Sequence, residues 1–404
     1  MRDASLPLAG LRVLDFSRLL PGPWATQFLG DMGAEVIKIE QPEIGDPARH
    51  NPPTYREGSV YFHSVNRNKR CIALDLSKPA GREIALRLID GADILVESFR
   101  RGVTSRLGID EKTARARNPR LIYCSITGYG QDGPLAAVPG HDLVIQSITG
   151  LMAMHPEPGA PPPVPGFQAA DYAGATGALS GLLVALFRRE RTGEGAYLDI
   201  SMFDNLMAMS NIVLTGAMAR AAGHTDGPTI EVWGGNPRYS TYATRDGKAV
   251  AVSLLETRTW ERFCHHIGRP DLIRAEETPR DRHSSHGERS DLYRAALTAY
   301  FAARDRDEAV NALLAADIPI CSVSTPDEAL AQPQVVARGV VEWIDHPIEG
   351  RIPQLANPLG RSGFGDSRAR PAASRLGADT DAVLRELGYD EDACKTLHQN
   401  GVIA

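Results

Sequence analysis

At 404 residues the chain is longer than one compact core usually fills, so two domains or one elaborated domain are expected. Its 43% apolar and 23% charged residues exclude an intrinsically disordered chain. The formal net charge of -6 excludes a general nucleic-acid binder, which needs clustered excess cation to meet a phosphate backbone.

In chain order, "LRVLDF" (11–16) reads as a buried strand, "PGPWATQFLGDMG" as a turn and helix, and "AEVIKIE" (34–40) as a second strand. Strand "CIALDL", helix "PAGREIALRLID", strand "DILVES", a helical stretch through "GVTSRLG" and strand "LIYCSI" continue the alternation. Apolar strands separated by one-faced helices indicate a parallel sheet covered on both sides, hence an α/β fold with a Rossmann-like large domain. The Pro-rich "HPEPGAPPPVPG" (155–166) is an irregular loop. It leads into "DYAGATGALSGLLVALFRRERTGEG", where Gly174, Gly177 and Gly181 line one side of a helix and predict close packing. After a second loop at 222–236, "YATRDGKAVAVSLLE" reads as a hairpin turning at Arg245–Gly247, followed by helices. The expected division is a large domain over 1–225, a smaller α+β domain over 226–325, and a C-terminal part, 326–404, completing the first. The tail ends in two short helices predicted to dock on the large domain.

The five cysteines (Cys71, Cys124, Cys264, Cys321, Cys394) are scattered without metal-ligand spacing, which points to reduced thiols and no metal site. "MRDASLPLAG" lacks the layout of a secretory signal. No uninterrupted apolar run approaches the roughly 20 residues of a membrane span. A cytoplasmic protein without a membrane partner is expected.

Few residues look able to carry chemistry. The first βα turn has prolines where a dinucleotide fingerprint needs glycines, although Glu40 stands where a ribose hydroxyl could be accepted. Arg67, Lys69 and Arg70 form one basic cluster at a strand start, and Arg100, Arg101 and Arg106 form a second after another strand. Each is a solvated basic face or part of a shared anion site. Asp171 begins the glycine-rich helix, as its N-cap or as a carboxylate aimed at substrate. His141, in "PGHDLVIQSITG", either starts a helix or transfers a proton, and Glu256 either ends a strand in water or assists it. The remaining histidines, including His265, His266, His283 and His286, read as surface.

Together these stretches resemble the family III CoA-transferases, which also contain the α-methylacyl-CoA racemases. The likeness is carried by "LAGLRVLDFSRLLPGPWATQFLGDMGAEVIKIE", "NRNKRCIALDLSKPAGRE", "LVESFRRGVTSRLGID", "ITGYGQDGP", "RRERTGEGAYLDISMFD" and "TPDEALAQPQVVARG". It implies a homodimer of interlocked subunits with no tightly bound cofactor and a coenzyme A thioester as substrate. Lys69, Arg100 and Arg106 fall in the stretches that match the family's coenzyme-binding site. Arg101 departs from the proline common there.

Two branches are implied. In the transferases an aspartate at the place of Asp171 attacks the thioester, and CoA passes to a second carboxylate through an anhydride and an aspartyl-CoA thioester. Gly234 and Gly235, in "EVWGGN", are the candidate oxyanion loop. In the racemases a histidine, an aspartate and a glutamate exchange the α-proton, and His141, Asp171 and Glu256 fill those places. The presence of all three tilts the reading toward epimerisation, with CoA transfer as the alternative. A non-catalytic CoA-binding dimer is a third reading, against which the retained Asp171 counts.

Overall fold

The computed structural model describes residues 6–154, 159–226, 232–362, 364 and 371–404. Part of each predicted loop, 155–158 and 227–231, therefore lies outside the described residues. The chain forms two compact units, Met1–Met209 with Gln334–Ala404, and Ser210–Pro333. Their boundaries fall at 209/210 and 333/334, against the expected 225/226 and 325/326.

The first unit is built on six parallel strands: β1 (Arg12–Asp15), β2 (Glu35–Glu40), β3 (Lys69–Ala73), β4 (Ile94–Glu97), β5 (Ile122–Thr127) and β6 (Ala196–Ser201). They lie in the order β3-β2-β1-β4-β5-β6. Strand periodicity divides the apolar residues cleanly between two cores. Leu14, Ile37, Ile72, Leu95 and Tyr123 pack on one face, and Val13, Val36, Ile94, Val96, Ile122 and Cys124 on the other. The order reverses between β1 and β4, so the segments leaving these two strands diverge and open a crevice at their carboxyl ends.

Four helices of this unit are α1 (Pro21–Asp31), α2 (Pro79–Asp90), α3 (Asp142–Ile148) and α4 (Ala169–Thr192), of which α1, α3 and α4 contribute to the crevice. α1 starts with Pro21, whose fixed φ suits a first helical position. The preceding turn is so tight that a Cβ on Gly22 would lie 2.2 Å from the Ser17 side chain. α2 packs Ile84, Ala85, Leu88 and Ile89 into the first core. α4 is the glycine-rich helix. A Cβ at Gly174 would sit 2.7 Å from Met202, and one at Gly177 2.0 Å from Asn205, so both glycines admit the helix Met202–Met209. By length and composition α4 could cross a membrane, contrary to the expectation from apolar runs. Half of its apolar window is buried within the protein, however, and it forms part of the second core.

The C-terminal helices Thr380–Glu386 and Glu391–Gln399 cover the free edge of β3. Thr380 Oγ1 accepts from Ala73 N at 3.0 Å, Asp379 accepts from Cys71 N at 2.8 Å, and Val383, Leu384 and Cys394 enter the first core. An antiparallel hairpin, Val341–His346 with Gly350–Leu355, also belongs to this unit. The second unit has an antiparallel sheet of Tyr239–Ala243, Ala249–Ser253 and Ile320–Ser322. Its core gathers Trp260, Phe263, Tyr293, Leu297 and Phe301 from the neighbouring helices.

Candidate active site

The crevice at the β1/β4 divergence holds a cavity of about 590 Å³, formed wholly within the first unit. Arg18 and Leu19 reach it from the end of β1, Ser98 to Arg101 from β4, and Thr127 to Tyr129 from β5. The segments entering α3 and α4 close the far side, bringing His141, Asp142 and Asp171 to the same space.

Asp171 is in the first turn of α4, yet it is not the cap. Gln168 occupies the N-cap position without a side-chain bond. The cap comes from Asp142, whose Oδ1 accepts from Ala170 N at 2.8 Å and Asp171 N at 3.1 Å. Gln146 fixes Asp142 by donating to its Oδ2 at 2.6 Å, and also donates to Phe167 O at 3.0 Å. Asp142 thus occupies the helix N–H groups and leaves the Asp171 carboxyl uncommitted. Among the described residues nothing hydrogen-bonds to that carboxyl. Burial, and secondarily the Asp142 charge, push its pKa up to about 7. A half-buried, unpartnered carboxylate in a crevice is equipped to attack or to exchange a proton.

His141 is the N-cap residue of α3, but its side chain makes no capping bond and lines the cavity exposed. Asp142 does not serve as the cap of α3; it serves α4. Aromatic rings stiffen the floor beside Asp171. Phe167 stacks on Tyr172 at 4.9 Å and 5°, and Tyr172 meets Trp24 edge-on at 5.8 Å. Tyr61, also in the cavity, has its phenol pKa raised by burial first and then by Asp171.

The two basic clusters separate sharply. In the first, every cation is spent on a carboxylate. Arg67 pairs with Asp31 at 2.7 Å, and Arg70 with Glu35 at 3.0 Å and Glu386 at 2.9 Å. Lys69 is buried, and its three N–H bonds go to Asp15, Pro23 O and Asn66, each at 2.8 Å. All three donors of an ammonium expected to contact the coenzyme are thus engaged within the protein. Burial, aided by the nearby Lys38 charge, lowers its pKa to about 8 against the pull of Asp15. Lys38 in turn pairs with Asp46 at 2.9 Å, and Asp46 accepts from Leu19 N at 3.1 Å. The buried network therefore holds the turn that presents Arg18, in which Leu19 adopts φ +63°.

The second cluster is free. Arg100 and Arg101 line the cavity exposed and make no ion pair among the described residues, and the same holds for Arg18, a cation the sequence reading missed. Arg106 is exposed on the helix Val103–Leu107 and is not part of the cavity wall. The arginine loop is anchored by Glu97 at the end of β4. Its carboxyl accepts from Phe99 N at 2.8 Å, and burial raises its pKa to about 7.

Glu256, Gly234 and Gly235 belong to the second unit. Glu256 precedes the helix Thr257–His266 and lines a shallow depression with Arg258, Arg262 and Asp317. Gly234, at φ +76°, and Gly235 form an exposed turn. Of the histidines expected at the surface, His266 is exposed and bonds the Tyr300 hydroxyl at 3.1 Å, whereas His286 is half-buried, and burial lowers its pKa to about 4. Among the described residues no group of three or more His, Cys, Asp or Glu could hold a metal ion.

A family model described as CoA-transferase family III matches residues 8–380. The succinyl-CoA:glutarate CoA-transferase of Mus musculus is 32% identical over 408 residues, covering 99% of this chain and 91% of that protein. The acetyl-CoA:oxalate CoA-transferase of Acetobacter aceti is 33% identical over 393 residues, covering 95% and 97%. The crystal structure of a CAIB/BAIF family protein from Brucella suis superposes with a TM-score of 0.79 at 32% identity, covering 95% of this chain and 99% of that one.

Proposed function

The chain belongs to CoA-transferase family III, and from that premise we propose that it moves coenzyme A from an acyl-CoA to a free carboxylic acid through the Asp171 carboxylate. The observation that carries this reading is the state of that carboxylate. It is unpartnered, half-buried and raised in pKa, in a crevice rimmed by unpaired arginines.

An Asp171 oxygen attacks the thioester carbonyl, the C–S bond breaks, and CoA leaves as the thiolate, forming an acyl-aspartyl anhydride. The thiolate then attacks the aspartyl carbonyl, releasing the donor acid and leaving an aspartyl-CoA thioester. An acceptor carboxylate displaces CoA to form a second anhydride. The thiolate returns to the acceptor's acyl carbon, which frees Asp171 and completes the new acyl-CoA. Arg18, Arg100 and Arg101 would hold the coenzyme's phosphates, with Arg106 nearby on the surface. Gly234 and Gly235 remain the proposed oxyanion loop.

The relatives named above are CoA-transferases, which supports this reading over the α-proton exchange toward which the sequence tilted. We also propose a homodimer, as the family resemblance implies. Leu183, Val184 and Phe187 leave an apolar strip of α4 uncovered, with Val184 and Phe187 about 69% and 68% exposed.

The test is trapping. Incubation with an acyl-CoA and hydroxylamine is expected to convert Asp171 to a hydroxamate, found by peptide mass mapping and lost in Asp171→Asn. Rapid deuterium uptake at Cα from heavy water, with no hydroxamate, would reverse the choice of branch.

A further inference from the structure

The cavity's arginines are confined to one side. Arg18, Arg100 and Arg101 all come from the segments that follow β1 and β4. The opposite wall comes from residues 126–143 and 164–171, and residues 121 to 187 contain no Lys or Arg at all. Its side chains are mainly apolar. Val138, Leu143, Val164 and Phe167 are 45%, 42%, 73% and 56% exposed, a concentration of uncovered apolar surface around one carboxylate. Phe167 is held flat against Tyr172, so the ring is presented in a fixed pose four residues before Asp171.

From this asymmetry we propose that the acid handled at the site is an apolar monocarboxylate, its tail lying on the wall of Val138, Leu143, Val164 and Phe167. The inference rests on the reading of Asp171 as nucleophile, since that fixes where the thioester carbonyl sits. With the coenzyme's phosphates on the arginine side, an acyl tail that continues past Asp171 meets the apolar wall. A second carboxylate there would face Asp171 and Asp142 with no lysine or arginine to receive it, His141 being the one basic side chain on that wall among the described residues. The relatives quoted above are named for glutarate and oxalate, acids that carry such a second carboxylate.

The test uses the full chain with hexanoyl-CoA and succinyl-CoA as donors. Butanoate, hexanoate, octanoate, phenylacetate, succinate, glutarate and oxalate serve as acceptors, and hydroxylamine trapping at Asp171 is run in parallel. We expect kcat/KM to rise about fourfold per added methylene across the linear acids. Octanoate should exceed succinate at least tenfold. Val138→Arg, at an exposed position, should compress that preference by giving the wall a cation. A tenfold preference for succinate, glutarate or oxalate, with Asp171 still forming its hydroxamate, would overturn the substrate class and leave the transfer reading standing. Absence of both transfer and hydroxamate with every ester would overturn the two together.

Discussion

Ionising Asp171 in the crevice is costly because burial strips its water and Asp142 repels it, and the same surroundings keep the carboxylate basic and uncommitted. Below a pH of about 7 the carboxyl is neutral and cannot attack, so kcat/KM is expected to fall about tenfold per pH unit there and to level above it. Asp142→Asn keeps an oxygen for the α4 cap but removes the neighbouring charge, so the break in that profile should move to lower pH. A break that stays in place would mean that Asp142 does not act on Asp171. Stability follows from the same shift. Because the folded pKa is raised, the folded state holds a proton that the unfolded chain loses above a pH of about 4. The associated stability is full below that pH and is lost as pH rises through the folded value near 7. In urea titrations Asp171→Asn should therefore gain about 1–3 kcal/mol at pH 8, after allowance for solvent screening, and nothing at pH 4. Asp171 stood out in the sequence, but its cap did not. Asp142 lies in the first turn of its own helix, and only folding brings it to the start of another.

At the level of elements, α4 depends on glycine where the helix Met202–Met209 crosses it. Gly177→Ala forces a Cβ to within 2.0 Å of the Asn205 side chain and should cost about 1–3 kcal/mol of stability. Gly166→Ala, where nothing lies within 4 Å, should stay within about 0.5 kcal/mol. The basic clusters offer a second contrast. Lys69→Met leaves Asp15 buried without its partner and should cost about 3–5 kcal/mol in thermal or urea unfolding. Arg100→Ala should barely change stability while raising KM for the acyl-CoA roughly tenfold or more, as expected for a lost charge-assisted bond. Equal KM effects from both would make Lys69 a coenzyme contact. Apolar strands alternating with one-faced helices made the parallel sheet legible, and glycine spacing made α4 legible. The hairpin Val341–Leu355 was not, because Pro347 and Pro353 interrupt its pattern and much of its anchoring is long-range. Glu349, in its turn, accepts from the backbone N–H groups of residues 56–58. The two basic clusters look alike in sequence because their partners, Asp31, Asp15, Glu35 and Glu386, are scattered along the chain.

For the whole molecule, the reversal of strand order decides where chemistry happens, since it opens the crevice into which segments far apart in the chain deliver their side chains. The proposed dimer is checked by light scattering, in which Val184→Lys with Phe187→Glu on α4 should shift the mass toward the monomer. Which bonds Asp171 makes is the central question, and an oxygen label answers it most directly. Turnover with an acyl-CoA and an acceptor acid carrying ¹⁸O in its carboxyl group, in unlabelled water, should be followed by mass mapping of the peptide that contains Asp171. If the acceptor passes through an anhydride with this carboxylate, its bridging oxygen stays behind, and the peptide gains about 2 Da from the first labelled turnover. CoA transfer that leaves Asp171 unlabelled would contradict the account.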